Sequence, residues 1–208
     1  MDTLKIYIKS YLFYAIGALG VSLTIRANIG ISSFNSMNLS ISTVSGIKVG
    51  TMTIIFNTLF LIGYMFLTRF KFKFKYLLQG LSVLMFGLFI NFYTYNILNH
   101  LVISFYFQRI LLVVVGTLTA GTAVGMVLNY DKIAFPMESF CLELSKVSGA
   151  KFVSLRYGVD VISAIVSLSM TYLYGLPLFI REGTVINMTL LSWSINFAKE
   201  KLAISEYN

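Results

Sequence analysis

An arginine and an aspartate one helical turn apart stand out in an apolar part of the chain. Arg156 precedes Asp160 by four residues, and the run from Val159 to Leu173 is largely apolar. Residues four apart share one face of a helix, so the two side chains can neutralise each other. An unpaired charge at the centre of a bilayer costs about 3 kcal/mol on insertion scales. The pair is therefore either a structural ion pair or part of a site for a coupling ion or substrate, and the sequence leaves both open.

Two short segments carry further polar residues at matching positions. These residues are Asn35 and Asn38 on the first segment and Glu138 and Glu143 on the second. Glu138 follows Asn35 by 103 residues, and Asp160 follows Asn57 by the same distance. A broken or re-entrant helix exposes a helix terminus that can bind ions or solutes. Asn35, Asn57, Glu138, Arg156 and Asp160 are therefore candidate binding residues, and solvated loop positions are the alternative for those on the short segments.

No group of residues suits catalysis or metal binding. The only histidine, His100, falls in a predicted outer loop, so the serines have no histidine base at a plausible depth. Histidine, cysteine and carboxylate residues do not cluster as metal ligands do, and there is no G-x-x-x-x-G-K-[ST] phosphate loop. The single cysteine, Cys141, permits no internal disulfide and is interpreted as a small apolar filler. We expect no enzymatic activity, no catalytic residues, no metal and no cofactor.

The elements that must position the candidate residues are predicted to be membrane-crossing helices. Of 208 residues, 57% are hydrophobic and 12% are charged, whereas a soluble domain usually carries about 25% charged residues. A spanning helix needs about 20 apolar residues, and the apolar runs are continuous rather than alternating as in a barrel strand. Six segments qualify or nearly qualify, namely 6–26, 51–69, 76–98, 109–129, 156–176 and 181–198. The sequence therefore predicts an all-α polytopic membrane protein with about six transmembrane helices.

The basic residues predict which side of the membrane each loop faces, because lysine and arginine are enriched in cytoplasmic loops. With the N-terminus inside, the inside set is much the larger. It comprises Lys5, Lys9, Arg69, Lys71, Lys73, Lys75, Lys132, Lys146, Lys151, Lys199 and Lys201, against Arg26, Lys48, Arg109 and Arg181 outside. Both termini are therefore predicted to be cytoplasmic. The alternating stretch from Arg69 to Lys75 is interpreted as a cytoplasmic turn with interfacial phenylalanines, with a strand or a lipid-headgroup patch as alternatives.

The two halves of the chain show an internal repeat. Val44-Ser45-Gly46-Ile47-Lys48 resembles Val147-Ser148-Gly149-Ala150-Lys151, again 103 residues later. Apolar residues recur at helical spacing just before each pentapeptide, which predicts two short amphipathic or re-entrant helices. Because each half, about 6–98 and 109–198, contains three spans, consecutive halves must be oppositely oriented. We therefore expect a 3+3 inverted repeat within a single membrane domain, residues 1–208.

The chain resembles the YczE/YyaS/YitT-type bacterial membrane proteins over nearly its whole length. The resemblance rests on Ala27-Asn28-Ile29-Gly30, Ser33-Phe34-Asn35, Pro136-Met137-Glu138, the Arg156/Asp160 pair and Glu182-Gly183-Thr184. The family typically shows Ala-x-Leu-Gly followed by a Pro-Trp-Asp-like triplet, and here Ser33 and Asn35 replace the proline and the acid. The resemblance adds Asn28 to the candidate binding residues. It implies a protein of the bacterial cytoplasmic membrane and supplies no substrate.

Two functions fit these features. The first is a secondary transporter or channel-like protein for a small solute or ion, with the polar residues near the interface of the halves. The second is a non-transporting assembly or regulatory partner in the membrane. The lipid bilayer is the expected partner and a homo-oligomer is left open. Nucleic acid is not expected despite the net charge of +8, because the basic residues lie between apolar segments and not on one continuous face.

Overall fold

The described part of the chain is helical throughout. A computed structural model describes residues 3–130 and 135–201, and these residues contain no β-strand. The helices are α1 (Thr3–Ala27), α2 (Ser33–Ser45), α3 (Val49–Leu67), α4 (Lys73–Phe92), α5 (Tyr106–Tyr130), α6 (Pro136–Ser148), α7 (Phe152–Tyr174) and α8 (Glu182–Lys201). After α4 the chain continues through one π-helical turn and one 3-10 turn to His100. Lys132, which was assigned to the inside set, lies outside the described residues.

Five of these helices are long and apolar enough to cross a membrane. They are α1, α3, α4 with its extension to His100, α5 and α7. They correspond to the first five predicted spans, and α7 begins four residues earlier than expected, so that Arg156 falls inside the helix. The all-helical, membrane-type fold is thereby confirmed, by the length and composition of these helices.

The predicted sixth span, 181–198, falls on α8, which is too polar to be counted with the other five. Its buried polar residues face another helix: Asn187 Nδ2 donates to Thr117 Oγ1 of α5 at 2.9 Å, and Ser194 Oγ donates to the carbonyl of Leu118 at 3.0 Å. Part of the polar character of α8 thus follows from its packing along α5. The total of six spans stays a prediction.

The two short helices share one local structure. Each has 13 residues and ends at a glycine, Gly46 or Gly149, with φ of 72°. The glycine N–H donates to the carbonyl of Ser42 at 2.9 Å in α2 and of Ser145 at 3.0 Å in α6. Glycine favours this left-handed helix end because it has no Cβ to clash. The matching pentapeptides therefore fold alike.

Small residues allow the long helices to approach closely. A Cβ added at Gly20 of α1 would lie 2.5 Å from the carbonyl oxygen of Gly116 in α5. Gly50 of α3 and Gly87 of α4 face each other in the same way, and Gly121 of α5 faces Ser194 of α8. Without water to drive association in a membrane, such close van der Waals packing holds helices together.

Each short helix packs across a long helix of the other half of the chain. Helix α2 lies against α7, and α6 lies against α3. A central apolar cluster contains Phe34 and Met37 of α2 together with Met137 and Cys141 of α6. The long helices follow a related scheme, because α1 packs on α4 and α5 packs on α8. The scheme has one break: α3 packs along α4, whereas the described residues show no comparable packing of α7 on α8.

Candidate functional site

Three ionisable side chains from two helices meet beside the central apolar cluster. Arg156 Nη1 lies 2.7 Å from Asp160 Oδ2, and Arg156 Nε lies 3.7 Å from Glu138 Oε1. The helical spacing of Arg156 and Asp160 predicts their contact, and the structure shows it. The structure adds Glu138, which the sequence offered as a separate candidate. We call these three residues the charged cluster.

Glu138 reaches the cluster because of how α6 begins. Pro136 occupies the first position of α6, where its missing N–H costs no helical hydrogen bond, and Glu138 lies in the first turn. A carboxylate there is favoured by the partial positive charge of the helix N-terminus. Atom Oε1 faces Arg156, while Oε2 is enclosed and has no hydrogen-bond partner among the described residues. The free Oε2 is a ready acceptor or ligand atom.

The charged cluster carries one net negative charge when all three groups are ionised. Its neighbours on the same helices are apolar, since Met137 flanks Glu138 while Leu155 and Val159 flank Arg156 and Asp160. In such surroundings a charge interacts more strongly than it does in water. The net negative charge of the cluster attracts a small cation or the cationic end of a solute.

Two further side chains lie beside the charged cluster. Cys141, one turn after Glu138, is 1% exposed and packs in the central apolar cluster. Tyr14 of α1 is also 1% exposed, and its hydroxyl is enclosed without a hydrogen-bond partner among the described residues. Its ring packs on Phe135 with the centroids 4.6 Å apart. Sequence reasoning missed Tyr14, because no spacing rule links a residue of α1 to the start of α6.

The first half of the chain holds an uncharged counterpart of the cluster. At the 103-residue spacing, Asn35, Thr53 and Asn57 correspond to Glu138, Arg156 and Asp160. Asn57 Nδ2 donates to the backbone carbonyl of Thr53 at 2.9 Å, and Asn38 Nδ2 donates to Thr53 Oγ1 at 3.3 Å. Asn35 is half-buried one turn before Asn38.

This uncharged set supplies oxygen atoms within the helical bundle. Asn38 is fully buried, and its Oδ1 has no hydrogen-bond partner in the described part of the chain. The sequence placed Asn38 on the first short segment but did not single it out as a site residue, and it missed Thr53. The repeat itself carries the signal, since it aligns Thr53 with Arg156 and Asn38 with Cys141.

Asn28 lies just after α1 and apart from the other candidate binding residues. It is exposed, it follows α1 with a φ of 53°, and its N–H donates to the carbonyl of Ile25 at 3.3 Å. Asparagine tolerates this left-handed conformation better than most residues. The next residue, Ile29, accepts a hydrogen bond from the N–H of Gly183 at 2.9 Å. The structure thus joins the segment around Asn28 to the start of α8 and shows no contact between Asn28 and the charged cluster.

Metal ligation is not indicated by the described residues. No three histidine, cysteine or carboxylate side chains within 3–130 and 135–201 are placed to hold one ion. A surface depression lies away from the charged cluster, between Leu67, Thr68, Arg69, Lys71, Phe72 and Glu143.

Comparison with known proteins agrees with the resemblance drawn from the motifs. A family model described as "Family of unknown function (DUF6198)" matches residues 4–200. The "Uncharacterized protein YyaS" of Bacillus subtilis (strain 168) is 24% identical over 163 residues, which cover 75% of this chain and 80% of that protein. The predicted similarity to YyaS-type proteins is confirmed. No solved structure matches the chain.

Proposed function

We propose that this chain, which belongs to the DUF6198 family of unknown function, is a secondary transporter or channel-like protein for a small solute or ion. One observation carries the proposal. Glu138, Arg156 and Asp160 meet where the start of the short helix α6 approaches the membrane-type helix α7. Ionisable residues inside a membrane bundle are costly, and they commonly mark ion or substrate pathways.

The arrangement of the short helices supports this proposal. Many secondary transporters are built from two inverted halves, with the binding site where broken helices meet between the halves. Here α2 packs on α7 and α6 packs on α3, so each short helix crosses into the other half. The hydroxyls of Ser40 in α2 and Ser167 in α7 are hydrogen-bonded at 2.9 Å, and this bond stabilises the contact between the two helices. A 3+3 inverted repeat, with α8 as the sixth span, is the architecture we propose.

Charge favours a cation over an anion as the species that binds. Arg156 neutralises one of the two carboxylates, and the net negative charge that remains is located beside Oε2 of Glu138, which has no hydrogen-bond partner among the described residues. A small cation, a proton included, completes the neutralisation without breaking the 2.7 Å contact between Arg156 and Asp160. A cationic group on a larger solute would act in the same way. The chain needs no catalytic step for this role, and we propose none.

We place the protein in the bacterial cytoplasmic membrane with both termini in the cytoplasm. The support is the excess of basic residues in one set of connections, above all Arg69 and Lys71 between α3 and α4 with Lys73 and Lys75 in the first turn of α4. In this orientation α6 enters from the cytoplasmic side and α2 from the opposite side.

Transport by reconstituted protein tests the proposal. Purified chain in proteoliposomes is compared with Asp160→Asn and with Glu143→Gln, a matched control on α6 whose carboxylate pairs with Lys146 at 3.0 Å. Fluxes of Na⁺, K⁺ and protons are measured with ion-selective dyes. We expect flux of at least one ion, lost in Asp160→Asn and retained in Glu143→Gln. Equal flux of all three ions in protein-containing and empty liposomes counts against cation transport.

One observation favours the second candidate, a non-transporting assembly or regulatory partner. Helix α7 leaves a broad face uncovered, including Tyr157, Val161, Ile162 and Ile165. A partner helix could pack there, where α8 does not. A stable copurifying membrane protein, together with unchanged unfolding temperature in Na⁺, K⁺ or low pH, would favour this candidate. A homo-oligomer formed on the same face stays a prediction.

A further inference from the structure

The connection between α3 and α4 presents alternating cationic and aromatic side chains. We call residues 68–75 the basic loop. Its charged residues are Arg69, Lys71, Lys73 and Lys75, and Phe70, Phe72 and Phe74 between them are 47%, 50% and 63% exposed. Exposed phenylalanines in water are unfavourable, whereas at a membrane interface they lie in apolar surroundings. The loop is therefore suited to a surface that is both anionic and apolar.

Hydrogen bonds hold the basic loop in a defined shape. Thr68 Oγ1 is hydrogen-bonded to the Tyr76 hydroxyl, which also accepts from the N–H of Phe72 at 3.1 Å. Arg69 and Phe70 have φ of 51° and 57°, a left-handed conformation that non-glycine residues seldom adopt. The loop thus presents its side chains from a fixed, tightly turned backbone.

A depression in this loop brings two cations beside a hydroxyl group. It is lined by Leu67, Thr68, Arg69, Lys71 and Phe72, with Glu143 of α6 at its edge. The Glu143 carboxylate is already paired with Lys146 at 3.0 Å, so it does not cancel the charges of the loop. Arg69 and Lys71 are both exposed and can close on a phosphate group.

The charges are not needed to form the connection. In the second half, the positions 103 residues after Arg69, Lys71, Lys73 and Lys75 are Tyr172, Tyr174, Leu176 and Leu178. None of these four is basic: Tyr172 and Tyr174 end α7, and Leu176 and Leu178 lie in the connection to α8, whose basic residue is Arg181. The two halves therefore differ in the charge of this connection, and the proposed orientation places the charged one on the cytoplasmic side.

We propose that the basic loop binds the phosphate headgroups of anionic phospholipids. Arg69 and Lys71 contact one headgroup phosphate in the depression, and Lys73 extends the cationic surface along the first turn of α4. The exposed phenylalanines lie at the boundary between headgroups and acyl chains. Clusters of about 4–8 basic residues next to a membrane-crossing helix commonly attract anionic lipid. This proposal holds whether or not the chain transports anything.

The test is a lipid titration of the purified full chain in detergent micelles. Its unfolding temperature is followed with phosphatidylglycerol, with phosphatidylcholine, and with inorganic phosphate. We expect a rise with phosphatidylglycerol alone. Arg69→Gln/Lys71→Gln should weaken the apparent affinity about 30-fold, from about 1 kcal/mol per basic residue. The matched control, Lys199→Gln/Lys201→Gln, removes the same charge from the exposed end of α8. It should change the apparent affinity for phosphatidylglycerol little.

Several other results of these lipid titrations would contradict the proposal. Equal losses in both double variants would show a general charge effect, and equal stabilisation by phosphatidylcholine would show that charge is irrelevant. Stabilisation by inorganic phosphate to the same extent would make the depression a site for a free anion. If the glutamine variant does not fold, Arg69→Lys/Lys71→Arg should retain binding. Binding to the unaltered chain should fall as salt shortens the Debye length from about 30 Å at 0.01 M to about 3 Å at 1 M, and salt-insensitive binding would contradict the proposal.

Discussion

Arg156 Nη1 lies 2.7 Å from Asp160 Oδ2 while its Nε faces Glu138 at 3.7 Å. One guanidinium thus serves two carboxylates that belong to different helices. Asp160 is held one turn away on α7, whereas Glu138 arrives with the short helix α6. The closer contact ties Arg156 to its own helix, and the longer contact leaves Glu138 freer to exchange Arg156 for another cation.

Removing the shared cation should destabilise the fold more than removing one anion. Arg156→Gln leaves Glu138 and Asp160 facing each other without compensation, which we expect to cost about 3 kcal/mol. Asp160→Asn leaves Arg156 with Glu138 and should cost about 1 kcal/mol. Thermal unfolding of the purified variants in the same detergent shows which substitution destabilises the protein more. A larger loss in Asp160→Asn than in Arg156→Gln would contradict the sharing.

Glu138 should determine the response of the protein to cations. Glu138→Gln removes the net negative charge of the cluster, so stabilisation by Na⁺ or K⁺ should fall to that seen with a bulky organic cation. Glu143→Gln, on the same helix, should keep the response because Glu143 is paired with Lys146 and is not part of the cluster. Unfolding temperatures over a series of chloride salts provide the measurement. Loss of the response in both variants would assign it to α6 in general.

The sequence predicted the parts of the site that depend on local spacing. Contact between Arg156 and Asp160 follows from their four-residue separation, and the shared end of α2 and α6 follows from the repeated glycine. The meeting of Glu138 with Arg156 could not be predicted, because it depends on α6 crossing onto another helix. The contacts of Asn187 and Ser194 of α8 with α5 likewise depend on tertiary packing. Spacing along the chain gives contacts within a helix, and tertiary packing gives the rest.

Helix packing should be sensitive to volume at Gly50 and insensitive at Gly158. A Cβ at Gly50 meets the backbone of Gly87 and the side chain of Asn91, whereas a Cβ at Gly158 has no neighbour within 4 Å. Gly50→Val should therefore destabilise by about 2 kcal/mol or more. Gly158→Ala should be neutral, or stabilising by up to about 1 kcal/mol through helix propensity. Thermal unfolding measures the stability of both variants. Similar losses of stability in the two would contradict the close α3–α4 contact.

Cys141 should react slowly with polar thiol reagents. The position of this cysteine on α6 suggests an accessible probe of the cytoplasmic side, but the side chain is 1% exposed and packs with Phe34, Met37 and Met137. Labelling by a membrane-impermeant maleimide should therefore be slow from either side of the membrane and fast after denaturation. Rapid labelling of the native protein would show that α6 opens, which would contradict the packing of Cys141 in the central apolar cluster. The sidedness of the chain needs introduced cysteines for the same reason.

The central claim, that the two halves are related and oppositely oriented, is tested most directly by a pair of equivalent positions. Ser45 and Ser148 are both exposed, each precedes the glycine that ends its short helix, and they are 103 residues apart. Ser45→Cys and Ser148→Cys are made singly in a Cys141→Ala background and exposed in intact cells to an impermeant maleimide. We predict that Ser45→Cys is labelled from outside, and that Ser148→Cys is labelled only after the cytoplasmic face is opened. Labelling of both cysteines from the same side would contradict the inverted arrangement.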